Sequence, residues 1–121
     1  MERKFNLDER LINFSVAVID ISEILPKTFA GIHIAGQLVR SGISPALNYG
    51  EAQSAESRND FIHKMKVSAK ELRETYNCLK IIKKKNWCPE VKMDPVLDEN
   101  NQLISIFVKS IETAKNNNTA K

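Results

Sequence analysis

The chain has 121 residues, of which 42% are hydrophobic and 27% charged, and its formal charge is +3. That length builds one domain with a real core and excludes a two-domain enzyme with a cleft between its halves; the small net charge excludes the whole-molecule field of a strongly basic nucleic-acid binder. Glycine and proline, at four each, are too scarce for many short strands and point to long helices.

The N-terminus carries charge from its second residue and lacks the apolar core of a secretory signal. No run approaches the roughly 18 apolar residues of a membrane span. The expectation is a soluble, cytoplasmic protein with no membrane partner, whose two cysteines, Cys78 and Cys88, stay reduced.

In chain order, Asp8 is the expected cap of a first helix over 8–25, with Leu11, Phe14, Val18, Ile21 and Leu25 recurring in steps of three and four. Ile12, Val16 and Ile19 add a second apolar face, more perimeter than one pair of neighbouring helices in a small monomer covers, so either this helix is central or part of it meets another subunit. Pro26 is read as the first residue of a second helix over 26–55. Phe29, Ile32 and Val39 mark its stripe, and Pro45 is expected to bend it by depriving residue 41 of its hydrogen-bond donor.

Asn59 or Asp60 then caps a third helix over 59–85, with Phe61, Met65, Ser68, Leu72, Thr75, Leu79 and Ile82 facing inward. Residues 86–96 hold two prolines and read as a loop. Asp94 and Pro95 are the expected start of a fourth helix over 95–116, whose stripe includes Leu103, Phe107 and Ile111, ahead of a polar tail that frays. Four helices with short connections predict one all-α domain, an antiparallel up-down-up-down four-helix bundle with helix two bent near Pro45.

Sites for chemistry are scarce. His33 and His63 lie on different helices, and neither belongs to the Glu-x-x-His pair that aims two ligands at a di-metal centre, so no metal site or cofactor is expected. No serine sits in a strand-to-helix elbow, and no glycine loop cradles phosphate, so no catalytic residue is assigned and the protein is expected not to be an enzyme. Arg40, Ser41, Asn48, Glu51 and Glu74 form a polar motif around Pro45, read as satisfying backbone groups that the proline leaves open.

The basic residues are the one pointer to a polyanion. From Arg58 to Lys85 nine lysines and arginines face only Asp60, Glu71 and Glu74. Lys66, Lys70, Arg73, Lys80, Lys83, Lys84 and Lys85 are the candidate nucleic-acid contacts, and Trp87 beside them could stack on a base or close the bundle end. A solvated helix face is the plainer reading of the same charges.

Leu25-Pro26-Lys27, Gln37-Leu38-x-Arg40-Ser41, Ser44-Pro45-x-x-Asn48-x-x-Glu51, Asp60-Phe61 and Glu74 occur in an order that resembles the 23S rRNA intervening-sequence protein family of bacteria, over residues 7–115. Ala52 departs from the pattern, standing where many members have glycine. The resemblance implies a four-helix bundle assembling as a homopentamer. It also implies kinship with the accessory variability proteins of diversity-generating retroelements, pentameric barrels that bind nucleic acid and a reverse transcriptase. Two functions follow as expectations: a non-enzymatic oligomeric scaffold associated with RNA or a nucleic-acid-processing protein, or a protein-interaction module with incidental charge.

Overall fold

The computed structural model describes residues 6–120, which form four helices: α1 Leu7–Glu23, α2 Phe29–Gln53, α3 Arg58–Lys84 and α4 Glu90–Ala120. Short polar side chains start three of them. Asn6 accepts from the Glu9 amide at 3.1 Å, Thr28 from Gly31 at 3.1 Å and Ser57 from Asp60 at 3.0 Å. Each covers one of the amides that a helix leaves open at its start. The caps are therefore Asn6 rather than Asp8, Thr28 rather than the Pro26 start, and Ser57 rather than Asn59 or Asp60; α2 ends at Gln53, two residues before the expected end.

The largest departure is α4. The Pro89 carbonyl accepts from Lys92 and Met93 at 3.0 Å each and starts the helix at Glu90. Pro95 is the sixth residue of the helix, past the first turn, so it withdraws the amide that would pair with the carbonyl of the exposed Val91, and Asp94 pairs with Lys83 instead of capping. At the other end α4 continues through Ala120, because asparagines extend a helix that is already nucleated even though they would not start one.

The α3–α4 joint is a Schellman turn. Asn86 takes a φ of 58°, the left-handed position usually given to glycine. The Asn86 amide reaches the Lys83 carbonyl at 3.0 Å, and the Trp87 amide reaches that of Ile82 at 3.2 Å.

Cross-helix bonds fix the packing. Between α2 and α3, Lys64 meets Glu51, Ser68 meets the Pro45 carbonyl and Thr75 meets Ser41. Between α3 and α4, Arg58 meets the Ala114 carbonyl, Asn100 that of Leu72, and Lys83 meets Asp94. In each pair of helices residue numbers rise on one as they fall on the other, which makes the neighbours antiparallel.

A single core runs down the middle, with Leu11, Val18, Leu38, Met65, Leu72, Leu79, Ile82, Leu103 and Phe107 essentially inaccessible and Tyr49 packed edge-on to Phe107. Pro45 is buried inside one continuous α2. No helix among the described residues is long and apolar enough to cross a membrane.

Candidate nucleic-acid interface

Helix α3 separates its charges by flank. Its rotation of about 100° per residue places Lys66, Lys70, Arg73, Lys80 and Lys84 within a sector of about 80°, outward and toward α4. All five are exposed. Its buried acid, Glu71, turns the other way with Glu74, and both meet Arg40 of α2, whose Nη1 lies 3.2 Å from Glu71 Oε1. The two acids in the middle of α3 are thus drawn to the other flank, and the acids left beside the row, Glu112 and Glu90, belong to α4.

Lys66, Lys70 and Arg73 form one wall of an open groove of about 460 Å³, floored by Ala69, Val108 and Ile111. Glu112 and Lys115 of α4 complete it. Lys115 was not among the candidate cations; its signal was its place one turn after Ile111, exposed on α4.

Two of the seven candidate cations do not belong to this row. Lys83 donates to Asp94 Oδ1 at 2.8 Å, and that hydrogen bond raises its pKa and spends its charge on α4. Lys85 caps α3 on another flank, with its ammonium 5.8 Å from the Trp87 ring centre. Lys80 sits 4.9 Å above the Tyr76 ring but stays exposed. The half-buried Trp87 packs against the core at the bundle end.

The polar motif around Pro45 does not converge into a site. Asn48 Nδ2 donates to the Ser44 carbonyl at 3.1 Å and to the Ser44 hydroxyl at 2.9 Å. Those are not the Ser41 carbonyl that Pro45 leaves open, so the expected repair does not occur there. Glu51 instead accepts from Lys64 at 2.7 Å and staples α2 to α3. Ser41 lies 2.9 Å from the Thr75 hydroxyl in the buried α2–α3 seam, while Thr75 donates to the Glu71 carbonyl at 2.8 Å.

No group of three or more potential metal ligands assembles among the described residues. Cys78 and Cys88 are buried and free; burial raises both thiol pKa values, with Glu74 adding to the effect at Cys78. A raised pKa means less thiolate at a given pH, the reverse of an activated nucleophile.

The opposite side of the bundle is apolar. On α1, Ser15 reaches the Gly42 carbonyl of α2 and Arg10 reaches Glu99 of α4, so residues 12, 16 and 19 lie on the flank beside α2. Ile12 is 55% and Val16 51% exposed, and on the adjoining flank of α2 Ile32 is 59% and Leu47 64% exposed.

Residues 3–109 match the model of a family described as 23S rRNA-intervening sequence protein. Among solved structures the chain resembles the crystal structure of a protein of unknown function from the S23 ribosomal protein family of Bacteroides thetaiotaomicron. The TM-score is 0.81 at 23% identity, over 88% of this chain and 98% of that one. Identity that low speaks for the fold alone. No curated protein matches the sequence.

Proposed function

The chain belongs to the 23S rRNA-intervening sequence protein family, and from that premise we propose that it acts by binding rather than catalysis, as an oligomeric helical scaffold that holds RNA or a ribonucleoprotein. The observation that carries this reading is the separation of charge on α3. Arg40 draws Glu71 and Glu74 to one flank, and five exposed cations stand on the other. Such a row neutralises phosphates and releases their counterions without reading bases.

With five phosphate contacts, affinity for RNA is expected to fall about 10²- to 10³-fold between about 50 and 200 mM salt. Replacing Lys66, Lys70 and Arg73 together by alanine should lower the slope of log affinity against log salt by about 2 to 3. Fluorescence anisotropy across a salt series measures both. An unchanged slope in the triple variant would overturn the assignment.

The α1–α2 apolar face supports the oligomeric part, with a second copy as its occupant and five copies as the resemblance implies. Light scattering is expected to give a mass well above the 13.7 kDa of one chain, reduced to that mass when Val16 and Leu47 both become aspartate. A wild-type monomer with no RNA affinity would instead favour the second reading, a protein-interaction module using this face.

A further inference from the structure

We infer that the nucleic acid held by the α3 row is a double helix rather than a single strand; the inference rests on the RNA-binding reading above. The row is straight and stiff. Helix α3 runs 27 residues without a proline or glycine, and from Lys66 to Lys84 its five cations cover about 27 Å at 1.5 Å per residue.

A duplex carries one phosphate charge per about 1.7 Å of axis, so the row spans about 16 of them. It is already straight, with a persistence length of about 150 bp for DNA. A flexible single strand would have to be drawn out along the row, which costs conformational entropy for every nucleotide ordered.

Single-strand binders offset that cost by stacking bases on aromatic side chains, worth about 1–3 kcal/mol per base. Among the described residues this face has no such platform. Tyr76 lies beneath Lys80 and accepts from Asn101 at 3.4 Å, and Trp87 is half-buried at the bundle end beside Lys85. Phe14 and Phe107 are buried, Tyr49 is packed on Phe107, and Phe61 packs on the core. Phe29 is 91% exposed, yet it stands on α2, outside the row.

The groove floor beside the row, Ala69, Val108 and Ile111, offers no donor or acceptor to a base edge. Glu112 opposes phosphate on the α4 wall, which leaves the α3 wall for the backbone. Recognition by phosphate and shape, with no base contact, is how proteins hold double-stranded RNA.

The test compares an RNA duplex of mixed sequence about two helical turns long with an oligouridine of the same strand length, which does not pair with itself, in one buffer at about 50 mM salt. The duplex is expected to bind at least roughly tenfold tighter. Equal or tighter binding of oligouridine overturns this inference and leaves the RNA reading standing; binding of neither probe overturns both. The variant Lys70→Glu with Arg73→Glu should lose roughly tenfold or more of the duplex affinity while its circular dichroism stays that of the wild type. Undiminished duplex binding by that folded variant would overturn the placement on this row.

Discussion

Replacing Gly31 by alanine is expected to lower stability by about 2 to 3 kcal/mol, a loss of about 10 °C in melting temperature. A Cβ built on Gly31 falls 2.0 Å from the Pro26 carbonyl oxygen and 3.0 Å from both Pro26 C and Cγ. The obstacle is backbone, and backbone here is the joint that turns the chain from α1 into α2, so relief requires moving one helix against the other. The better helix propensity of alanine, worth up to about 1 kcal/mol, offsets only part of this.

Gly36 and Gly50 form the internal contrast, because a Cβ at either meets nothing within 4 Å. There the same substitution should raise stability by about 0.5 to 1 kcal/mol, since alanine costs less conformational entropy in a helix. Urea denaturation of the three variants reads all the signs. Wild-type stability in Gly31→Ala would show that the joint yields, against the geometry. Gly36 also lies on the exposed side of α2, so a loss of assembly without a loss of stability in Gly36→Ala would locate close backbone approach between copies there.

Asn100→Asp should be the most damaging nearly isosteric change, costing about 3 kcal/mol at neutral pH and much less in acid. Asn100 is fully buried in the core; its Nδ2 donates to the Leu72 carbonyl at 3.1 Å, and its Oδ1 has no hydrogen-bond partner. A protonated aspartate keeps that geometry, with its hydroxyl as donor. An ionised one places an unpaired charge beside a carbonyl in the low-dielectric core.

Burial holds the folded-state pKa of the new carboxyl above its unfolded value of about 3.9, so the folded state binds more protons and stability falls as pH rises between the two. The gap from wild type should therefore open above about pH 4, widening by about 1.4 kcal/mol per pH unit until the folded-state group ionises. A pH-independent gap would place the site in contact with water. Asn100→Leu, by removing the orphaned oxygen, should match or exceed wild-type stability, because Leu72 already has its own helical partner.

Asn100 also shows how far the sequence reaches. The series Met93, Val96, Asn100, Leu103, Phe107 and Ile111 keeps core spacing with one polar member; five of the six lie within the expected helix over 95–116, and only Met93 needs the start near Glu90. Two prolines hid that start. Proline disfavours a helix interior without excluding it, as Pro45 and Pro95 show, and the start is set by Pro89, whose carbonyl takes the first amides.

By itself the sequence determined the helical class, the four helices and their inward seams, such as Leu11, Phe14, Val18 and Ile21, because burial of one face leaves a period that any local stretch records. It also placed the excess of positive charge on helix three. Only the tertiary structure decided which of those charges are spent. Lys83 is neutralised by Asp94, eleven residues away, and Glu71 and Glu74 are drawn off by Arg40, more than thirty away, while Lys66, Lys70 and Arg73 share a groove with Lys115 of another helix. The reason is physical: hydrophobic period is written along one helix, whereas the partner of a charge is whichever group the fold brings within a few ångströms, and no local pattern encodes that distance.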